Sequence, residues 1–363
     1  MEEEEDEEED DGGGGNGGGK ALNPRTLVSL LKACATKRDL QRGCQIHASI
    51  VEKRLLGKDA YLGSALVSMY AKCGSIGKAR EVLSMLPVRD VVSWTALMVG
   101  CVACGHLKEA LVCFDQMKQE GVSPDVFTYA SALKACTGLG VLEKGRKIHD
   151  EVSMRGMEGH FLVGNTLINM YSKSGLILKA KEQFEKLKVR TMVSWTALIV
   201  GYADNGYPKE ALHCLEEMQR EGISADAATY ICSLKACCCL GAIGKGREIH
   251  GEICKSGFED DTLISTLIDM YAKSGSLVEA RYLFCKLRDG DVVLWTSLIA
   301  GYAENEQSEE ALRLFAQMQH CAIYPDNVTF AFVLKACGSI GAQGKGQEIH
   351  TILATGEMEL DLL

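Results

Sequence analysis

The feature that most constrains the fold of this chain is an internal repeat of about one hundred residues. The phrase SWTALMVGCVACGHLKEALVCFDQM at 93–117 returns as SWTALIVGYADNGYPKEALHCLEEM at 194–218 and as LWTSLIAGYAENEQSEEALRLFAQM at 294–318. The only three tryptophans of the chain, spaced by 101 and 100 residues, occupy the same place in each copy: Trp94, Trp195 and Trp295. Spacing this regular predicts a repeat architecture.

Two further phrases alternate with the tryptophan phrase. FTYASALKACTGLGVLEKGRKIH at 127–149 returns at 228–250 and 328–350, with a diverged first copy ending at His47, and GNTLINMYSKSGLILKAKEQF at 164–184 is matched from Gly63 and Ile264. Successive units of 35, 35 and 31 residues make up the 101-residue period. The predicted units are ten: 24–59, 60–90, 91–125, 126–160, 161–191, 192–226, 227–260, 261–291, 292–326 and 327–361.

The apolar residues of one unit predict a pair of short helices. In 91–125, two stripes follow the i, i+3, i+4, i+7 spacing of a helix face: Trp94, Leu97, Met98 and Cys101, then Ala110, Leu111, Phe114 and Met117. Gly105 lies between the stripes and suits a left-handed turn. A single hairpin cannot bury both stripes, whereas stacked neighbours can. We therefore predict an all-α solenoid with a long concave surface.

Two details of the repeats carry structural expectations. The tetrapeptide LKAC recurs with its cysteine in one slot, and we expect these cysteines, like the tryptophans, to be core residues: Cys34, Cys136, Cys237 and Cys337. Buried thiols without a disulfide pattern suit a reducing compartment. Glu306 stands where the other tryptophan phrases have glycine, so we expect a strained or slightly longer turn there.

The charge of the chain belongs to its N-terminal segment. Residues 2–11 are ten consecutive carboxylates, and without them the chain has 39 acidic and 39 basic residues. We predict a disordered acidic and glycine-rich leader over 1–20, followed by the repeat domain over 21–363. No apolar run is long enough for a membrane helix, and no signal or transit peptide is visible.

Three short motifs imitate chemical sites but lack an essential part. Gly14, Gly19 and Lys20 have P-loop spacing, but Ala21 stands where a serine or threonine is needed. The HxE sequences at His149 and His250 lack the PCxxC half of a zinc deaminase signature, and these histidines are expected to cap or line a helix interface. The pair Cys101 and Cys104, followed by His106, is not repeated in other units. We expect no catalytic residue, no metal and no cofactor, and interpret the array as a binding surface rather than an enzyme.

The three phrases together resemble the plant-type pentatricopeptide repeat family, in particular the subclass that alternates ordinary, long and short repeats. The resemblance covers the chain from Pro24 to its end. It implies a right-handed superhelix of antiparallel helix pairs, like that of tetratricopeptide repeats. It also implies sequence-specific binding of single-stranded RNA in a mitochondrion or chloroplast, as a specificity factor for C-to-U editing or other transcript processing. Either a deaminase or other editing factor would then act in trans, or the sequence is a fragment that lacks a C-terminal extension. A scaffold for protein–protein interaction is the alternative.

The resemblance assigns one base to the fifth residue of a unit's first helix together with the unit's last residue, here called the recognition pair. The pairs are Ser64/Asp90, Thr95/Asp125, Asn165/Thr191, Thr196/Asp226, Ser265/Asp291 and Thr296/Asp326. A carboxylate only accepts hydrogen bonds, and guanine presents adjacent N1–H and N2–H donors. The implied footprint, from 5′ to 3′, is G-G-N-Y-G-N-G-G. The alternative role of these aspartates is helix capping.

Phosphate contacts are also expected of an RNA-binding surface. Two sets of basic residues recur in the repeats and are candidates for them. The first set is Lys134, Lys235 and Lys335, and the second is Lys144, Arg146, Lys245, Arg247 and Lys345. The alternative for both sets is solvated helix ends.

Overall fold

The computed structural model describes residues 23–56, 60–257, 261–286 and 291–355. The predicted leader over 1–20 lies outside these residues. The described residues form 20 α-helices and no strand, so the predicted all-α class is confirmed. The helices are α1 Pro24–Lys37, α2 Leu40–Glu52, α3 Ala60–Lys72, α4 Ile76–Met85, α5 Val91–Ala103, α6 Leu107–Gln119, α7 Val126–Leu139, α8 Leu142–Met154, α9 Phe161–Lys173, α10 Ile177–Glu185, α11 Met192–Asp204, α12 Pro208–Arg220, α13 Ala227–Leu240, α14 Ile243–Ser256, α15 Asp261–Lys273, α16 Leu277–Lys286, α17 Val292–Glu304, α18 Ser308–His320, α19 Asn327–Ile340 and α20 Gln343–Thr355.

The chain divides into two compact units, Met1–Ser131 and Ala132–Leu363, with the boundary inside α7. In the first unit, the odd-numbered helices α1, α3 and α5 pack side by side. In the second unit, α9, α11, α13, α15, α17 and α19 do the same. Second helices pack against the first helices on either side of them, as seen for α2 and α4 in the first unit and for α10, α12, α14, α16 and α18 in the second. Each unit therefore has one layer of first helices and one layer of second helices.

The apolar stripes predicted from the sequence form the core between these layers. All eight stripe residues of α5 and α6 are buried, as are the three tryptophans and the four LKAC cysteines. All 16 cysteines are free thiols. The expectation that tryptophans and LKAC cysteines are core residues is thus confirmed. None of the described helices is long and apolar enough to cross a bilayer.

The turns between paired helices use a left-handed residue. Gly105 ends the turn after α5 with φ 78°, and the equivalent Gly206 has the same value. Glu306 takes the same place with φ 62°, which a side chain adopts only at a cost because its Cβ crowds the backbone. The expected strain is confirmed, and the turn keeps the length of the other copies, since the Gln307 amide bonds the Tyr302 carbonyl at 3.0 Å.

Close approach of neighbouring first helices depends on a glycine. A Cβ added to Gly100 in α5 would lie 2.3 Å from the Ala71 Cβ and 3.0 Å from the Ala71 Cα in α3. Neither atom can rotate away, because the Ala71 Cα is part of the α3 backbone and the Ala71 Cβ is bonded directly to it. In contrast, Gly251 within α14 is exposed and a Cβ there would meet nothing within 4 Å.

These two glycines therefore predict opposite effects of the same substitution. Gly100→Ala is expected to lower the free energy of unfolding by about 1–3 kcal/mol, because α3 and α5 must move apart. Gly251→Ala is expected to raise it by about 0.5–1 kcal/mol, because alanine is the better helix former. Urea denaturation followed by circular dichroism measures both changes. Equal effects at the two positions would contradict the close packing of α3 and α5.

Candidate functional site

Three Thr/Asp recognition pairs share one geometry. A buried threonine, the third residue of the next unit's first helix, lies between the two members of each pair. The Thr196 Oγ1 lies 2.7 Å from the Thr229 Oγ1, which donates to the Asp226 Oδ1 at 2.6 Å. The equivalent distances are 2.7 and 2.7 Å for Thr95, Thr128 and Asp125, and 2.6 and 2.7 Å for Thr296, Thr329 and Asp326. We call Thr128, Thr229 and Thr329 the bridging threonines.

The aspartate of each pair also caps the next helix. The Oδ1 atoms of Asp125, Asp226 and Asp326 accept the backbone N–H of the bridging threonine at 2.8, 2.8 and 2.7 Å. No described residue donates to the Oδ2 atoms, and these atoms are not buried. Capping and ligand contact are therefore compatible, because capping occupies one oxygen and holds the other towards solvent.

The first members of the pairs differ in how far they reach the surface. Thr95 and Thr196 are half-buried. Thr296 is only 8% exposed and also donates to the Val292 carbonyl at 2.7 Å, so it lies deeper than the sequence suggested. In all three cases, the hydroxyl contacts the next first helix through the bridging threonine.

The two Ser/Asp pairs do not behave alike. The Ser64 hydroxyl, 6% exposed, donates to the Asp90 Oδ1 at 3.4 Å, and that oxygen also accepts from the Ser93 hydroxyl at 2.8 Å. In contrast, the Ser265 hydroxyl donates to the Asp261 carbonyl at 2.6 Å and no described contact joins it to Asp291. Leu294 occupies the bridging position next to Asp291; it has no hydroxyl, and its backbone N–H donates to the Asp291 Oδ1 at 3.0 Å.

The Asn165/Thr191 pair lines a groove of the second unit. This groove has a volume of about 670 Å³, and Thr196 and Asp226 line it as well. The Asn165 Oδ1 is buried and has no hydrogen-bond partner among the described residues. Leaving this oxygen unpaired costs free energy. Thr191 caps α11 through Ser194, 3.1 Å away.

A groove of the first unit repeats these features with a volume of about 430 Å³. Ser64 lines it at the position that corresponds to Asn165. Lys32 and Lys72 stand where Lys134 and Lys173 line the other groove. Each groove thus combines a recognition residue with two cationic side chains and an apolar wall.

The two sets of basic residues separate in the structure. Lys134, Lys235 and Lys335 are exposed on first helices and form no ion pair with a described residue. On the second helices, Arg146 pairs with Glu143 at 2.9 Å and Arg247 with Glu279 at 2.6 Å. Lys245 pairs with Glu216 and Glu248 at 3.1 and 3.0 Å, and its pKa is raised although burial opposes the charge. The first set is therefore the better candidate for phosphate contacts.

Two groups of candidate functional residues were recognised in the structure and were not identified from the sequence. The bridging threonines read as small core residues, and nothing in the sequence marks their contact with a residue 33 positions earlier. The second group is the exposed valines at the second position of first helices: Val92 (56% exposed), Val193 (55%) and Val293 (63%). A signal for these existed, since the valines are apolar yet lie outside the stripe that the tryptophans define.

The histidines of the HxE sequences, and His47 at the same position of the repeat, have a structural role, whereas Gly14, Gly19 and Lys20 lie outside the described residues. The Nδ1 atoms of His47, His149 and His250 lie 2.9, 2.6 and 3.0 Å from the hydroxyls of Tyr70, Tyr171 and Tyr271 in the next first helix. Burial lowers the pKa of His47 and His250. The expectation that these histidines line a helix interface is confirmed. Among the described residues, no three His, Cys, Asp or Glu side chains cluster as metal ligands would.

Comparison with known proteins gives matches over most of the chain. The PPR repeat family model matches 89–138, 190–239 and 290–339, and the PPR repeat model matches 64–91, 165–191 and 264–292. Together these segments make up more than half of the chain. Two relatives from Arabidopsis thaliana are the pentatricopeptide repeat-containing proteins At3g09040, mitochondrial, and At1g11290, chloroplastic. The chain is 38% and 37% identical to them over 93% and 87% of its length.

The chain corresponds to part of these relatives. It spans 33% of the mitochondrial protein and 39% of the chloroplastic one. Among solved structures, the pentatricopeptide repeat protein PPR10 in complex with an 18-nt psaJ RNA element matches with a TM-score of 0.70 at 18% identity. That match covers 91% of this chain and 50% of PPR10. A likeness at this identity shows the helical repeat fold. With the fold, the repeat matches and the plant relatives in agreement, the chain belongs to the pentatricopeptide repeat family.

Proposed function

We propose that this chain binds single-stranded RNA and takes one base at each recognition pair. The observation that carries the proposal is the open Oδ2 of Asp125, Asp226 and Asp326, held beside a hydroxyl at the same position in three units. Repetition of one polar arrangement at successive units suits a polymer with a repeating backbone. The solved PPR10 complex, which contains RNA, supports this reading of the fold.

The surroundings of the pairs suit a nucleotide better than a peptide side chain. Exposed valines stand one helical turn before the recognition residues, where they can cover the apolar face of a base. Lys134 and Lys173 line the groove of the second unit, and Lys32 and Lys72 that of the first, where they can neutralise phosphates. A base, its polar edge and its phosphate each have a matching surface here.

The proposed footprint remains G-G-N-Y-G-N-G-G, with the two unassigned positions on the long units that begin at Val126 and Ala227. Guanine is assigned to the Thr/Asp and Ser/Asp pairs, and a pyrimidine to Asn165/Thr191. We further propose that the chain belongs to the subclass with alternating ordinary, long and short repeats. It would act in a mitochondrion or chloroplast as a specificity factor for transcript processing, most simply C-to-U editing.

The test is a gel shift with an RNA octamer of the proposed sequence, flanked by uridines, at fixed salt. Changing its five guanines to cytosines is expected to weaken binding by at least about a thousandfold, since each mismatch costs ~1–3 kcal/mol. Shuffled RNA of the same composition is the control. Equal binding of all three RNAs would contradict base recognition. Absence of binding to any of them would favour the protein–protein scaffold.

A further inference from the structure

We propose that the bridging threonines determine which base the Thr/Asp pairs prefer, by fixing where the protons of the pair lie. This inference rests on the proposed function, since it concerns the same surface. Thr128, Thr229 and Thr329 are fully buried, so they touch no base and act as positioning residues. Their effect would reach the ligand only through the recognition pair.

Two hydroxyl protons, one on Thr196 and one on Thr229, are shared among the groups around Asp226. Asp226 as a carboxylate only accepts, and its Oδ1 already takes the backbone N–H of Thr229 at 2.8 Å. The Thr229 hydroxyl has one proton and lies 2.6 Å from the same oxygen. A hydrogen bond to an ionised acceptor is the stronger choice, so this proton goes to Asp226. The Thr229 oxygen is then left as an acceptor for its other neighbour.

That neighbour is the recognition residue Thr196. Its single hydroxyl proton has three acceptors inside the protein, the Thr229 Oγ1 at 2.7 Å, the Met192 carbonyl at 2.9 Å and the Asp226 Oδ1 at 3.3 Å. Whichever of them takes the proton, the hydroxyl has none to offer to a ligand. Thr196 therefore presents lone pairs to the groove, next to the open Oδ2 of Asp226.

The recognition pair is consequently a pair of acceptors. Guanine presents two adjacent donors, N1–H and N2–H, on its pairing edge. Adenine and cytosine each present a donor beside an acceptor there, and the single ring donor of uracil lies between two carbonyl oxygens. Two adjacent acceptors on the protein thus match the two donors of guanine. With each other base, at least one of these acceptors faces an acceptor of the base. If the bridging hydroxyl were absent, the Thr196 proton would lose its nearest acceptor and keep only the Met192 carbonyl at 2.9 Å and the more distant Asp226 Oδ1 at 3.3 Å. The hydroxyl would then be held less firmly as an acceptor, and the selection would weaken.

The chain contains its own comparison at Ser265/Asp291. Leu294 stands at the bridging position. Among the described residues, the only donor to the Asp291 Oδ1 is the Leu294 backbone N–H at 3.0 Å, and no contact joins Ser265 to Asp291. This pair lacks the bridge between its members. We therefore expect its base, the seventh of the octamer, to be selected less strictly than the fifth base at Thr196/Asp226.

The experiment compares Thr229→Val with Thr229→Ser in the full chain. Valine keeps the shape of threonine and removes the hydroxyl, whereas serine keeps the hydroxyl. Dissociation constants are measured for four octamers that differ only at the fifth base, and for four that differ at the second base, read by Thr95/Asp125. Thr229→Val is expected to reduce the preference for guanine at the fifth base by about tenfold. Thr229→Ser is expected to retain it, and the second base is expected to stay unaffected.

Other outcomes would overturn the inference and can be told apart from failure of the proposed function. A purely structural role predicts equally weaker binding of all four fifth-base octamers by Thr229→Val, with the guanine preference unchanged. An unchanged preference together with unchanged affinity would overturn the inference as well. So would a seventh base selected as strictly as the fifth in the wild-type protein. If the wild-type protein shows no guanine preference at the fifth base at all, the proposed function itself fails.

Discussion

Asp226→Asn is expected to reduce the preference for guanine at the fifth base, measured as a ratio of dissociation constants, by about 10- to 100-fold, while the fold stays intact. The Asp226 Oδ1 accepts from the Thr229 backbone N–H and hydroxyl, at 2.8 and 2.6 Å. An asparagine must use its only oxygen for these two donors, so its NH₂ group is forced to the open Oδ2 position. Asparagine caps helices as well as aspartate does, so α13 keeps its start.

The reason for the size of this effect is the exchange of an acceptor for a donor. A hydrogen bond to a charged group contributes about 1.5–3 kcal/mol, and each 1.4 kcal/mol corresponds to tenfold in affinity. With a donor beside the Thr196 hydroxyl, the pair matches bases that present an acceptor beside a donor. Adenine and cytosine do so, and we expect the preference to move towards them.

The measurement is the dissociation constant for the four octamers that differ at the fifth base. Asp226→Ala serves as the control, because it removes the cap as well and is expected to lower stability by about 1 kcal/mol. Asp125→Asn is the matched variant for the second base. If Asp226→Asn binds the guanine octamer as selectively as the wild-type protein does, the Oδ2 atom does not contact the base.

Trp195→Ala is expected to lower the free energy of unfolding by about 3–5 kcal/mol, the range for large aromatic side chains in a core. Trp195 is 4% exposed and packs edge-on against Phe184, with ring centroids 4.6 Å apart. Its indole N–H also donates to the Glu221 Oε2 at 3.2 Å. Truncation would therefore open a cavity between α10 and α11 and remove a hydrogen bond.

Urea denaturation measures this loss, and Val193→Ala on the same helix is the control. Val193 is 55% exposed, so its truncation is expected to change the free energy of unfolding by less than about 0.5 kcal/mol. The same control is expected to weaken RNA binding, because Val193 lies on the groove wall. Comparable destabilisation by the two variants would contradict the assignment of Trp195 to the core and Val193 to the surface.

The fold could be predicted closely because its causes are local. Apolar stripes, glycine turns and their repetition specify helix pairs, and each observed pair falls within one of the ten units read from the sequence. The strain at Glu306 was predictable for the same reason, since a left-handed position without glycine can be read from one residue.

The site was less predictable because its contacts join different units. The sequence places Thr196 and Asp226 in one unit, but the hydroxyl that connects them comes from Thr229 in the next. The sequence shows a hydroxyl at Thr229 and none at Leu294, but it does not show that a hydroxyl at this position contacts the recognition residue of the preceding unit. The depth of Thr296 was unpredictable for a similar reason, since the burial of a side chain in the layer of first helices depends on residues of other units.

The double duty of the capping aspartates limits how such an array can change its target over evolutionary time. The last residue of a unit cannot be chosen freely for the base it faces, because it must also begin the next helix. Side chains that satisfy both demands are few, chiefly aspartate, asparagine, serine and threonine. The residue types possible at this position are thereby restricted to those with short polar side chains, and a new base specificity is reached by exchanging one of these residues for another.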